Sequence, residues 1–261
     1  MDNPLNTIDT LSLLTKIEEF KKLDLKKASI VEISSKALDT LSCILVSGCD
    51  FEKKEKLYRV RKLNDDSTEQ IKTFNDIWHP PASMVKTDGR VNLKGEPMLY
   101  CSTDTLTPLY ECDIKSGDCY ALIQYSVKEN EKLIGYLVGN EIEPENLNEI
   151  GKINNKIIND FIISEFTKQV GKGTEYLYKI SNVIAQNFMD MPFCDAYVYP
   201  SVANYKKGWN VAIKPKSALE KVKFDCVCIC NFKGYVPEGG CIFELKHKAS
   251  KIKNNELIYE F

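Results

Sequence analysis

Histidine is scarce in this chain: 261 residues contain only His79 and His247. A Ser-His-Asp or Cys-His nucleophilic site must use one of those two. Neither sits in a nucleophile elbow, because no Gly-x-Ser-x-Gly occurs. The phosphate-loop pattern, the dinucleotide fingerprint, the His-Glu-x-x-His zinc helix and the calcium-loop pattern are missing as well. Gly171-Lys172-Gly173 is too short for either glycine motif and reads as helix punctuation. The net charge is only −2, which gives no bulk electrostatic case for nucleic acid or an anionic membrane. No apolar run approaches the roughly 18 residues that a membrane span needs. Met1-Asp2-Asn3-Pro4 lacks the basic and apolar regions of a secretory leader, so the expected compartment is the reducing cytoplasm. The 43% hydrophobic content exceeds that of a disordered chain, and the length suits one large domain or two small ones.

Cysteine, by contrast, is plentiful, with ten residues. None form a Cys-x-x-Cys pair, so the common zinc and redox spacings are absent and no metal is expected. Cys226, Cys228 and Cys230 alternate along an apolar strand and share one face of it. A metal there would need a fourth ligand and convergence of neighbouring strand residues. Free cysteine packs as a small hydrophobe, and the expectation is that the cysteines are reduced and buried.

Apolar spacing predicts a helix from a cap at Asn6 or Thr7 to about Leu23, and a second from Ser29 to about Val46. A connector over residues 51–56 and a strand from Leu57 to Arg61 follow. Strands are predicted at Met98–Ser102, Cys119–Val127 and Leu133–Val138, with a short helix after Asp104 that puts Pro108 at its fourth position. Long helices are expected from Pro144 to Val170 and from Glu175 to Met189. Strands then fit Asp195–Tyr199, Trp209–Ile213, Phe224–Phe232 and Ile242–Lys246. The pattern is α+β.

What chemistry remains lies in the irregular middle: Tyr58-Arg59-Val60-Arg61, His79-Pro80-Pro81, Gly89-Arg90-Val91-Asn92, Tyr100, Glu111 and Tyr199-Pro200-Ser201-Val202. Arginine in a glycine-rich turn suits bidentate contact with phosphate. A tyrosine at a strand end can stack on a flat ring. A carboxylate can bind sugar hydroxyls or stabilise positive charge on a sugar ring.

In this order and spacing, these residues resemble the RES domain family, named for its arginine, glutamate and serine: bacterial toxin-type enzymes that consume NAD. The resemblance runs from about Leu57 to Phe232. Its strongest segment is Gly89 to Tyr100, with Glu111 falling on the short helix that follows. Tyr199-Pro200-Ser201-Val202 is similar to the serine motif, and Gly208-Trp209-Asn210-Val211-Ala212 to the glycine-asparagine strand after it. Val91 stands where the family often has an aromatic, and Pro108 where alanine-rich sequence is usual; neither change removes a named functional residue.

The resemblance implies an ADP-ribosyltransferase-like mixed-sheet core with a central NAD cleft over residues 53–261, preceded by an N-terminal helical segment at 1–52. It implies phosphorolysis or hydrolysis of NAD at the nicotinamide bond, with inorganic phosphate as co-substrate in the first case. Protein ADP-ribosylation and a non-enzymatic binding module on the same fold are the alternatives. A helix-turn-helix antitoxin that blocks the cleft is the implied partner. Arg90 would meet the pyrophosphate or an incoming phosphate, assisted by Arg59 or Arg61 on one strand face. Asn92 belongs to the same cofactor-binding group. Tyr100 would flank the nicotinamide or its ribose, Glu111 would stabilise the oxocarbenium-like state, and Ser201 would position the ribose or the nucleophile. Nicotinamide leaves NAD as a neutral molecule and needs no proton, so a histidine-poor chain suffices. Residues 1–52 would serve dimerisation, antitoxin contact or core completion.

Overall fold

The computed structural model describes residues 3–53, 55–139, 145–205 and 207–260. Two short helices open the chain, α1 (Thr10–Lys21) and α2 (Ile30–Leu41). The cap of α1 is Asp9, which accepts from the Ser12 N–H, rather than Asn6 or Thr7. Ser29 caps α2 through the Glu32 N–H, as expected, but the helix stops at Leu41 rather than Val46, and β1 (Ser47–Phe51) follows ahead of the predicted connector, where no element was expected.

β2 (Lys56–Leu63) and β3 (Leu99–Ser102) flank a long irregular segment, and α3 (Thr107–Glu111) follows β3. Asp104 takes the N–H groups of Leu106 and Thr107, so Pro108 falls at the second helical position, where its missing donor costs nothing. β4 (Cys119–Val127) and β5 (Leu133–Leu137) lead to α4 (Glu149–Phe166). The helix is shorter than the expected 144–170 span: Asn148 caps it through the Gly151 N–H, and Pro144 lies outside the described residues. The predicted helix over 175–189 forms over those residues, but its pitch changes along the way. A tight turn at Glu175–Tyr178 precedes α5 (Lys179–Ile184), and a π-helical turn at Ala185–Met189 ends it.

β6 (Ala196–Pro200), β7 (Trp209–Ile213), α6 (Pro215–Lys221), β8 (Val222–Tyr235), β9 (Cys241–Lys253) and β10 (Glu256–Glu260) complete the chain. The fold is mixed α/β, with a ten-stranded sheet in the order β1-β5-β6-β7-β3-β2-β4-β8-β9-β10. All described pairs are antiparallel except β5–β6.

Side-chain alternation sorts the strands into two cores. Tyr197, Tyr199 and Ala212 face the helical layer, whereas Ala196, Val198, Val211 and Ile213 face the opposite side with Leu57, Ile77 and Tyr125. The N-terminal helices do not stand apart. Leu13, Ile17, Phe20, Ile33 and Leu41 share one cluster with Phe161, Phe166, Ile180 and Ile184 of α4 and α5, so the packing supports core completion among the roles considered for them. A third cluster packs Leu109 of α3 against Val60, Tyr120 and Phe232.

The sheet opens between β2 and β3. They share a single register pair, Tyr58 with Ser102, while β2 pairs with β4 along its whole length. That parting positions the site.

All ten cysteines are free, as expected, but only Cys101, Cys194 and Cys230 are fully buried; the other seven are half-buried. Among the described residues no group of cysteine, histidine and acidic side chains is arranged to hold a metal.

Candidate functional site

A cleft of about 500 Å³ lies at the parting of β2 and β3. Its wall includes Arg59, Arg90, Asn92, Tyr100 and Glu111, five of the seven residues singled out from sequence. Ser201 and Arg61 are not among the lining residues.

Arg90 is held by its backbone before its side chain is placed. The Gly89 N–H donates to the Asn92 carbonyl at 2.8 Å, closing the turn. From the α5 layer, Asn182 Nδ2 donates to the Gly89 carbonyl at 2.8 Å and Ser181 Oγ to the Arg90 carbonyl at 2.7 Å. The guanidinium then lies 5.0 Å from the Tyr178 ring centre and 5.8 Å from that of Tyr199. Its Nη2 donates to the Lys168 carbonyl at 3.1 Å, just beyond the C-terminus of α4, where carbonyls and the helix dipole favour a cation. Nη1 is buried without a partner.

Arg59 reaches across the parting of the strands, with Nη1 3.4 Å from the Tyr100 carbonyl, and its Nε is likewise buried and unpartnered. Among the described residues neither arginine has a carboxylate within ion-pair distance, although Arg61 does. Two half-buried guanidiniums, each with an unpartnered nitrogen and no carboxylate in ion-pair distance, make the cleft wall suited to an anion. Arg61, although it shares a strand face with Arg59, donates to the Asp76 carbonyl at 3.2 Å and lies 3.9 Å from Asp76 Oδ1, away from the cleft.

The Tyr100 hydroxyl donates to Asn92 Oδ1, and both Asn92 amide hydrogens go to carbonyls, Glu96 at 2.8 Å and Leu93 at 3.2 Å. Asn92 is therefore committed to shaping the turn that carries Arg90. Burial pushes the Tyr100 hydroxyl above its ordinary pKa and the Tyr199 hydroxyl well above it, so both are neutral donors at physiological pH.

Glu111 ends α3 with its carboxylate in the cleft. Ser201 Oγ donates to Oε1 at 2.7 Å, and Asn210 Nδ2 donates to the same oxygen at 2.6 Å. Ser201 is fully buried behind the carboxylate and accepts from the Asn204 N–H at 3.1 Å, so it reaches the cleft through Glu111 and not directly.

Cys101 and Cys112 also line the cleft. Burial raises the Cys101 thiol to about 12 and also raises Cys112, so both are neutral thiols and poor nucleophiles. Neither histidine lines the cleft. His79 sits beside Trp78 with Nδ1 3.1 Å from the Pro80 carbonyl, and His247 lies edge-on to Tyr259.

The sequence reading missed Tyr178. It comes from the turn before α5, and nothing in the 175–189 apolar spacing separates it from a helix-surface tyrosine. No family model and no characterised protein matches the chain. Among the described residues no helix is long and apolar enough to cross a membrane.

Proposed function

We propose that this chain is a RES-type, toxin-like enzyme that breaks the nicotinamide–ribose bond of NAD on an ADP-ribosyltransferase-like core. The observation that carries this reading is the content of one cleft: two half-buried arginines, each with one buried nitrogen left without a partner and, among the described residues, no carboxylate in ion-pair distance, lining the same space as a carboxylate bonded through one oxygen only. The volume falls within the usual range for small-molecule sites. Arg90 and Arg59 would hold the pyrophosphate, or a phosphate acceptor, and keep the ribose in reach of Glu111. The Glu111 carboxylate would stabilise positive charge as the ribose carbon loses nicotinamide. The leaving group departs neutral, which suits a cleft lined by raised-pKa tyrosines and thiols and by neither histidine. An antitoxin that covers this cleft would switch the enzyme off.

Incubating the protein with NAD, with and without phosphate, and weighing the products tests the reading. ADP-ribose 1″-phosphate marks phosphorolysis, free ADP-ribose hydrolysis, and a mass-shifted protein ADP-ribosyl transfer; intact NAD overturns the proposal. Glu111→Gln is expected to lower turnover by a factor of about 100 or more, the scale of lost transition-state charge stabilisation. Arg90→Ala is expected to raise KM for NAD. Unchanged NAD consumption by Glu111→Gln removes the mechanism even if the wild type is active.

A further inference from the structure

We propose that Ser102 and Asn210 are positioning residues that decide which oxygen Glu111 offers to the ligand; the kinetic part of this inference rests on the NAD-cleaving reading above. β3 and β7 pair with Ser102 directly opposite Asn210, and the two side chains are buried, at 2% and 7% exposure. The Ser102 hydroxyl donates to Asn210 Oδ1 at 3.1 Å. With its oxygen so occupied, the amide turns its nitrogen toward Glu111, and Nδ2 donates to Oε1 at 2.6 Å. A carboxylate only accepts hydrogen bonds, so the reversed amide would set oxygen against oxygen.

Ser201 donates to that same Oε1 from the end of β6. Two donors, one just past β6 and one on β7, therefore converge on one oxygen, and among the described residues no other hydrogen bond or ion pair reaches this carboxylate. Oε2 is left for the ligand. The last torsion of a glutamate is broad when nothing holds it, and Glu111 sits at the exposed end of a five-residue helix. The bonds to Oε1 fix what the helix does not. Two buried polar side chains facing each other across strands are costly unless hydrogen-bonded. Here the chain of bonds does not close on itself; it runs from Ser102 through Asn210 to a group in the cleft.

Crystal structures of Ser102→Ala and Asn210→Asp, read beside NAD kinetics, test the role. In both variants the Glu111 carboxylate is expected to leave its wild-type position or to spread over several rotamers; an unmoved carboxylate overturns the inference. Turnover of NAD should fall about tenfold for Ser102→Ala. It should fall about 100-fold for Asn210→Asp, which faces one carboxylate with another. KM should stay within about twofold in each. Placed in a Glu111→Gln background, neither substitution should lower the residual rate further. An equal loss in that background, or a rise in KM in place of the fall in kcat, marks general structural damage and overturns the role. If the wild type leaves NAD intact, the function proposal fails on its own, and the crystallographic position of Glu111 still decides this one.

Discussion

Gly89 has no room for a side chain. A Cβ built there would run into Asn92 Oδ1 and stand 3.0 Å from the Tyr100 hydroxyl, the two ends of the bond that ties the Arg90 turn to β3. Gly89→Ala is therefore expected to destabilise the protein by about 1–3 kcal/mol and to weaken anion binding at Arg90. Gly48→Ala is the control, because its Cβ would meet only the Gly135 carbonyl at an ordinary 3.8 Å. Thermal unfolding of the two variants checks the contrast, and equal melting temperatures would refute it. At this scale the sequence was most legible where residues sit close together in the chain. The turn from Gly89 to Asn92, the strand tyrosine at position 100 and the helix glutamate at 111 all reach one cleft. Ser201 and Arg61 show the limit. Motif order placed Ser201 near Glu111 without showing that it lies behind the carboxylate, where its bonds to Glu111 and Asn204 use its hydroxyl. Strand alternation put Arg59 and Arg61 on one face but could not reveal that β3 parts from β2 beside the first, while Asp76 waits beside the second.

Strands β2, β4 and β8 are tied together by Asp225. Its carboxylate accepts from Lys56 Nζ at 2.9 Å, Gln124 Nε2 at 3.1 Å and Ser126 Oγ at 2.8 Å. Burial works to raise its pKa, but the bonds from Lys56, Ser126 and Gln124 outweigh burial and hold the carboxyl below its ordinary value. An acid with a depressed folded pKa contributes stability that is present above its unfolded pKa and lost as pH falls through the folded one. Asp225→Asn should thus cost about 1–2 kcal/mol at neutral pH. That difference should shrink as the pH drops into and below the carboxylate range. Denaturant unfolding of both proteins at neutral and acidic pH measures it, and a pH-independent difference would count against the charged network. Element legibility follows burial. β4 and β7 coincide with the predicted strands, because six and four of their residues are buried and turns or loops bound them. β1 and β10 escaped notice because each buries one residue, Phe51 and Leu257, which leaves no alternation to read. α6 is seven residues long and buries only Ser217 and Ala218, so it has no apolar stripe. The role of α5 could not be read locally: Asn182 and Ser181 spend their side chains on the Arg90 turn, a contact about 90 residues away in sequence.

Across the whole molecule, the placement of the N-terminal helices bears on the cleft. Phe20 of α1 is fully buried, with its ring centre 5.5 Å from that of Phe161 on α4. Phe166, five residues further along α4, packs against Tyr199, which in turn stacks on the Arg90 guanidinium. Residues outside the stretch that resembles a catalytic domain thus support the wall on which Arg90 rests. Two outcomes separate this arrangement from an independent N-terminal unit. If α1 and α2 formed their own folding unit, Phe20→Ala would melt a small early phase and leave the main transition in place. In a shared core, the cavity left by the ring destabilises the whole molecule by about 3–5 kcal/mol. The single transition should then fall by roughly 10 °C for a chain of this size. Calorimetry distinguishes the two, and the cleft supplies a second readout. With a shared core, the phosphate binding proposed for Arg90 is expected to vanish at the same temperature as the near-ultraviolet signal of the tyrosines packed around it. Loss of binding well below that temperature would show that the cleft and the helical core unfold separately.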